Sequence, residues 1–248
     1  MVKSEQVNYS RAPITESVID FRFRTNSSSK DIDKIGKKLK KNYPHTQPLQ
    51  HINFMIHASG GNVGVQQSTQ GMRLNSADQA DVALITPSGI SAARLAPYQG
   101  WETLRDKSKE IWHIWRETTS ISLVSRIGTR TINRIDIPLS NNSQIDLQSY
   151  VTVFPQLPKE LNQAWTAYLL QVSLPTHKDG WNVTITSNLL PMSPLIKHLS
   201  ILLDIDVFRT TEIPSKDDDF WAVVEEARAI KNHIFESCIT NETRGLIS

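Results

Sequence analysis

The chain has little of what marks secreted or membrane-spanning proteins. It contains one cysteine, Cys238, among 248 residues, so no disulfide can form within it, which is typical of a reducing compartment. No run of about 18 apolar residues occurs, and a transmembrane helix needs a stretch of that length. Residues 1–13 also lack the apolar centre of a signal peptide. These features predict a soluble, cytoplasmic protein without a membrane partner.

An excess of charge of one sign is also missing. The 27 lysines and arginines nearly balance the 25 aspartates and glutamates, which leaves a formal net charge of +2. Overall charge therefore gives no reason to bind nucleic acid, and any basic surface must be local. A hydrophobic content of 39% and a charged content of 21% are typical of a folded globular protein.

Familiar catalytic motifs are absent from the sequence. It has no His-Glu-x-x-His zinc motif, no phosphate-binding loop, no dinucleotide fingerprint and no Gly-x-Ser-x-Gly elbow. We therefore assign no catalytic residue, no metal and no cofactor, and the sequence favours a protein without enzymatic activity. Asp204 and Asp206 keep an enzymatic alternative open, because two carboxylates on one strand face can serve acid–base chemistry or hold magnesium. The interpretation we favour for them is pairing with arginines of a neighbouring strand.

Residues 123–138, at the centre of the chain, predict one long strand. β-branched residues are frequent there, and Pro138 is suited to a strand end because it cannot donate a ladder hydrogen bond. Side chains alternate between the faces of a strand, so Ile127, Ile135 and Ile137 share one face. The opposite face carries a polar set: Arg126, Arg130, Arg134 and Asp136.

This arginine stripe has two interpretations. It is either a solvated sheet face, paired with aspartates, or a surface for an anionic partner, since guanidinium groups suit carboxylates and phosphates. Within the stripe we expect a structural role for Arg134, beside Asp136, and partner contact for Arg126. The first predicted strand, residues 14–24, also carries arginines on its polar face. The candidate partner-binding residues are Arg22, Arg24, Arg126, Arg130 and Arg134.

A lysine-rich helix is predicted over residues 30–43. Apolar residues recur in it at helical spacing and form a narrow stripe, and lysines cover the rest. Such a surface is usually only solvated, but it provides an alternative site for nucleic acid. The residues of this alternative site are Lys34, Lys37, Lys38 and Lys41.

The order of predicted elements repeats along the chain. Residues 1–119 and residues 120–248 each contain an opening strand, several antiparallel strands and a long amphipathic helix. The closing helices, over residues 101–118 and 220–239, match at a shift of 120, which places Trp101 on Trp221 and Trp115 on Phe235. The sequence therefore predicts an α+β protein of two pseudo-repeated halves. In each half an antiparallel sheet is covered by its helix, and these four aromatic rings are buried.

Three stretches resemble a sporadically distributed family of uncharacterised bacterial proteins of about this length. They are APITESVIDFRF at residues 12–23, INRIDIP at residues 132–138 and FESCITNETR at residues 235–244. The resemblance would cover nearly the whole chain and brings no established catalytic residues. The patchy distribution of the family implies a role in phage defence or in a toxin–antitoxin pair.

The sequence thus leads to one leading hypothesis and two rivals. We expect a non-enzymatic protein that binds a protein partner through a sheet face or through a groove between the halves. The first rival is a nucleic-acid-binding module that uses the lysine helix and the arginine stripe. The second is an enzyme centred on Asp204 and Asp206. A homodimer is compatible with each of them.

Overall fold

A computed structural model describes residues 9–56, 63–121, 123–139, 146–161 and 165–248. The sequence SGGNVG predicts a hairpin turn at 59–64, of which residues 59–62 lie outside these ranges and residues 63 and 64 begin β3. The loop predicted at 141–143 also lies outside these ranges. The strands are β1 (Ile14–Phe23), β2 (His45–Ile56), β3 (Val63–Asn75), β4 (Asp81–Thr86), β5 (Gly89–Leu95), β6 (Val124–Pro138), β7 (Tyr168–Pro175), β8 (Asn182–Leu189) and β9 (His198–Arg209). The helices are α1 (Ser29–Leu39), α2 (Trp101–Thr118), α3 (Asp217–Cys238) and α4 (Asn241–Ile247).

The nine strands form one sheet in the order β2-β3-β4-β5-β1-β6-β9-β8-β7. The ladders β2–β3, β3–β4, β4–β5, β6–β9, β9–β8 and β8–β7 are antiparallel. The prediction of an α+β fold is confirmed, but the strands build a single sheet rather than a separate sheet for each half. No helix of the described chain is long and apolar enough to cross a membrane.

The chain forms two compact units, which we describe separately. The first unit contains residues 1–18, 96–98 and 127–248, and the second contains residues 19–95 and 99–126. These units differ from the predicted sequence halves because β1 and β6 each contribute residues to both. The predicted halves are defined by the repeated order of secondary-structure elements, whereas the compact units are defined by contacts in the fold. The bounds of the units therefore do not test the predicted repeat.

The second unit is held together by aromatic packing of α2. Phe23 of β1 stacks on Trp115 with a ring-centroid distance of 4.4 Å, and Phe21 meets Trp112 edge to face at 5.4 Å. Trp115 is fully buried, which fits the apolar face that its spacing in α2 predicts.

Ser28 caps α1 by accepting a hydrogen bond from the Asp31 N–H, as serine does at a helix start.

The core of the first unit lies between α3 and one face of β6, β9 and β8. Val183 of β8, Ile205 of β9 and Ala227 of α3 belong to one buried cluster. Strand β6 has alternating burial, with Ile127, Ile135 and Ile137 inside and Arg130 outside, so the predicted division of its faces is confirmed. The opposite face of these strands is therefore available for function.

The predicted burial of the four aromatic rings is right for two of them. Trp101 and Trp115 are buried, whereas Trp221 and Phe235 are only half-buried. In α3 the side chain that is buried instead is Phe220, the residue before Trp221. A helix turns by about 100° per residue, so a shift of one residue moves a different side chain towards the core. The short helix α4, which follows α3 after two residues, has no predicted counterpart.

Candidate functional site

The face of the first unit opposite its core is polar. We call it the open face, and it is built from alternate residues of β6, β9, β8 and β7, which are half-buried or exposed except for the buried Gly128 and Ser200. One row across the four strands is Arg130, Asp206, Thr184 and Ser173, and the neighbouring row is Ile132, Asp204, Thr186 and Gln171. The next row towards the start of β9 is Arg134, Leu202, Asn188 and Leu169.

Arg130 and Asp204 form the strongest ion pair of the open face. Arg130 Nε donates to Asp204 Oδ1 at 2.8 Å, and its Nη2 donates to Oδ2 at 2.5 Å. The hydrogen bonds to Asp204 raise the pKa of Arg130, and the negative charges of Asp204, Asp206 and Glu16 act in the same direction. The prediction that these aspartates pair with arginines of a neighbouring strand is confirmed for Asp204. Because this pair already engages both of its oxygens, Asp204 is poorly placed to act as a free general base.

A second polar chain links β6 to the loop 190–197 between β8 and β9. Arg134 Nε donates to Asp136 Oδ2 at 3.0 Å, and Ser200 Oγ donates to Asp136 Oδ1 at 2.5 Å. Ser200 Oγ in turn lies 2.7 Å from Ser193 Oγ in the loop. Arg134 and Asp136 therefore help to fix the loop, and the side chain of Arg134 remains 34% exposed.

The remaining candidate arginines lie in the second unit. Arg126 Nη1 donates to Asp20 Oδ2 at 2.6 Å, and the side chain of Arg126 is only 12% exposed. Arg22 Nε lies 3.6 Å from Asp20 Oδ2, and its side chain is 65% exposed. Arg24 is exposed. Arg126 is thus more deeply placed than Arg134, and among these three arginines Arg22 and Arg24 are the ones accessible to a partner.

Three lysines of the alternative site, Lys34, Lys37 and Lys38, lie on α1, and Lys41 follows the end of the helix. Lys34 Nζ is 3.3 Å from Asp31, and Lys38 Nζ is 3.3 Å from Glu117. Lys37 and Lys41 are exposed. Nearby carboxylates therefore offset part of the positive charge of this surface, which weakens its attraction for a polyanion.

An apolar surface, absent from the sequence-based candidates, lies at one end of the open face. The exposed fractions of its largest members are 90% for Ile196, 84% for Met192 and 70% for Leu169. Strand β7 starts there opposite the end of β8, and the loop 190–197 joins that end to the start of β9. We call this surface the apolar end; its members are Leu139, Leu169, Met192, Leu195 and Ile196.

The loop that presents this surface has a defined structure. The Leu190 N–H donates to the Ser200 carbonyl at 3.0 Å, and the Leu195 N–H donates to Ser193 Oγ at 3.1 Å. The Leu139 N–H also donates to the carbonyl of Lys197 at 2.8 Å. These hydrogen bonds hold the backbone while the side chains of Met192 and Ile196 remain in solvent. Exposed apolar side chains on a fixed loop make this surface a candidate for binding.

The cysteine and the lysine of α3, which are its candidate nucleophiles, are both buried. Cys238 is 3% exposed, and burial raises its pKa to about 11, which disfavours the nucleophilic thiolate. Burial lowers the pKa of Lys231 to about 8, and the charge of Arg228 adds to the effect. Lys231 is only 7% exposed, so a substrate has little access to it. Within the described ranges, no three His, Cys, Asp or Glu side chains stand close enough to hold a metal ion.

Comparison with known proteins gives no family for this chain, because no protein-family model and no curated protein matches it. The resemblance carried by residues 12–23, 132–138 and 235–244 therefore stays a prediction, as does the role in defence that it implies.

Proposed function

We propose that this chain is a non-enzymatic interaction protein that binds a protein partner on the open face of the first unit. The single observation that carries the proposal is the apolar end, where Met192 and Ile196 stand in solvent on a hydrogen-bonded loop. Exposed apolar surface costs free energy in water, and contact with a partner recovers it.

The polar part of the open face supports the same proposal. Interfaces between proteins combine a desolvated apolar centre with a polar rim. Arg130, at 46% side-chain exposure, and Arg134, at 34%, retain accessible donors beside the apolar end. The paired carboxylates of Asp204 and Asp136 keep these guanidinium groups in place, which reduces the entropy lost on binding. The groove between the halves, the other predicted binding place, stays a prediction.

The proposal predicts that the double variant Met192→Glu/Ile196→Glu loses the partner and keeps its stability. Both side chains are exposed, so the melting temperature should change little, whereas two carboxylates would oppose burial in an apolar contact. The measurement is affinity capture of the tagged chain from its native cells, with mass spectrometry and a melting curve. Leu123→Glu is the matched control, because Leu123 is 62% exposed and belongs to the other unit. Equal recovery of the same proteins by the wild type and the double variant would contradict the proposal.

A nucleic-acid-binding module remains the second candidate because the four lysines in and just after α1 are exposed. We expect binding to be weak and strongly salt-dependent, since each phosphate contact releases counterions. Replacing Lys34, Lys37, Lys38 and Lys41 by glutamate should leave partner capture intact. Heparin retention and titration with duplex and single-stranded nucleic acid provide the measurement. Sub-micromolar affinity at physiological salt, lost in the quadruple variant, would reverse the ranking of the two candidates.

We also propose that the chain arose by internal duplication. Strand order supports this, because the sheet reads β1-β5-β4-β3 outward from β1 and β6-β9-β8-β7 outward from β6. In each series, the strand that comes first in the chain lies in the sheet beside the strand that comes last in the chain. The other strands then follow across the sheet in the reverse of their chain order. A long helix, α2 or α3, follows the last strand of each series. Strand β2 and helix α1 are then additions to the first series.

A further inference from the structure

Within the described residues, strand β7 ends the sheet on the side of the first unit, and β8 is the one strand that pairs with it. Its sequence, YLLQVSLP, contains no charged residue. Proteins usually protect such an edge with lysines, an inward-pointing charge or a covering element. In β7 every residue after Leu170 is exposed. The edge is therefore competent to pair with another strand.

The ladder with β8 determines which backbone groups of β7 point outward. The Thr176 N–H donates to the Trp181 carbonyl at 2.9 Å, in the same register as the pair Pro175–Asn182. Backbone groups alternate in direction along an antiparallel strand, so the even-numbered residues of β7 bond to β8. The odd-numbered residues Leu169, Gln171 and Ser173 then direct their N–H and C=O groups to the free edge. Pro175 also falls on that edge, where its missing N–H breaks no bond to β8.

The side chains of the even-numbered residues continue the core face of the sheet. Val172 lies opposite Ile185, and Leu174 lies opposite Val183. Ile185 and Val183 are buried in the core of the first unit, whereas Val172 is 36% exposed and Leu174 is 45% exposed. The apolar layer thus extends one strand beyond the part that is buried, and a strand added at the edge would extend and partly cover it.

The β7 strand of a second copy of the chain can pair with the outward backbone N–H and C=O groups of this edge. A two-fold axis perpendicular to the sheet makes the two β7 strands antiparallel and keeps equivalent faces on the same side, as an isologous contact requires. In every such register, the even-numbered residues of β7 lie opposite even-numbered residues of the second copy, so core-side residues face core-side residues. No like charges oppose one another, because β7 has none. A register centred on Gln171 pairs Leu169 with Ser173 and leaves Pro175 outside the hydrogen-bonded pairs.

We propose that the chain forms a homodimer by antiparallel pairing of β7 with β7 of a second copy, which joins the two sheets into one. Edge pairing covers less surface than the roughly 800 Å² per partner of a standard stable interface. The dimer is therefore concentration-dependent, with a dissociation constant in the micromolar range. The contact uses the free edge and the core-side face of β7, and the members of the apolar end in the loop 190–197, Met192, Leu195 and Ile196, lie outside β7.

Sedimentation equilibrium of the full chain, from low to high micromolar concentration, tests the proposal. The mass of the wild type should rise from 28.0 kDa towards twice that value. Ser173→Pro removes an N–H that points to the free edge and not to β8, so it should hold the chain at the monomer mass. Ser173→Ala is the matched control, since both variants lose the hydroxyl contact with Thr184 and only the proline loses the edge donor. Ser173→Ala should dimerise as the wild type does.

A second pair of variants decides the matter if Ser173→Pro does not fold, as judged by circular dichroism and melting. Val172→Lys places like charges near each other across the two-fold axis and should abolish the dimer, whereas Val172→Thr keeps the β-branched shape without charge and should retain it. A wild type that stays at 28.0 kDa at every concentration overturns the proposal. Unchanged dimerisation of folded Ser173→Pro or Val172→Lys overturns it as well.

Discussion

Replacing Asp81 by alanine is expected to destabilise the protein by about 3–5 kcal/mol, the usual cost of removing one partner from a buried ion pair. Asp81 Oδ2 lies 3.1 Å from Arg94 Nη1 and also accepts a hydrogen bond from Lys107. The side chains of Asp81 and Arg94 are 8% and 4% exposed. Without the carboxylate, the charge of Arg94 loses its closest buried counterion while water still has little access to it. Urea denaturation followed by tryptophan fluorescence measures the change.

Two variants show whether the loss comes from the uncompensated charge. Asp78 also contacts Arg94, at 3.4 Å, but its side chain is 57% exposed, so Asp78→Asn should cost about 1 kcal/mol or less. Replacing both members of the buried pair, in Asp81→Leu/Arg94→Met, removes the charge together with its counterion and should cost less than Asp81→Ala. A double variant that is less stable than Asp81→Ala would show that the ion pair itself contributes the stability.

Trp115→Ala is expected to lower the free energy of unfolding by about 3–5 kcal/mol, the range for truncation of a large aromatic core residue. Trp115 is completely buried and stacks on Phe23. Its removal leaves a cavity between α2 and β1 of the second unit, and rigid strand and helix backbones fill such a cavity only in part. Chemical denaturation monitored by circular dichroism avoids dependence on the lost fluorophore.

Two controls accompany Trp115→Ala. Trp115 Nε1 is buried and has no hydrogen-bond partner in the part of the chain that the structure describes, so Trp115→Phe keeps a stacking ring while removing an unsatisfied donor. It should therefore cost much less than the alanine variant. Trp221→Ala should also cost less, because Trp221 is only half-buried. Equal losses for Trp115→Ala and Trp221→Ala would contradict the burial difference between the two helices.

The sequence predicts individual strands and helices well because the spacing of apolar residues along the chain determines which face of each element is buried. Alternation along residues 123–138 identifies β6 and its two faces, and the spacing of Trp101, Leu104 and Trp115 identifies α2 with its buried side. The choice between Phe220 and Trp221 in α3 could not be predicted. Both are large and apolar, they are adjacent, and the rotation of the helix depends on the strands against which it packs.

The partners of the candidate arginines could not be predicted from the sequence either. Arg126 pairs with Asp20, which is 106 positions away, and Arg130 pairs with Asp204, which is 74 positions away. Such pairs depend on strand order and register, and many orders are compatible with the same alternation. The exposed state of Met192 and Ile196 could not be predicted either. Pro191 and Pro194 indicate a turn or a short helix in this segment, but they do not indicate which of its side chains face solvent.

The pairing of side chains across the open face also constrains how this sequence can diverge. A change at Arg130 alone would leave the carboxylate of Asp204 without its bidentate partner, so drift at one position is tolerated mainly together with drift at the other. The same coupling links Arg134, Asp136 and Ser200. Met192 and Ile196 have no such internal counterpart in the described chain. On the proposed function, their identity is free to follow the surface of a partner. The open face and its apolar end would then combine positions constrained from within the chain with positions constrained by another protein.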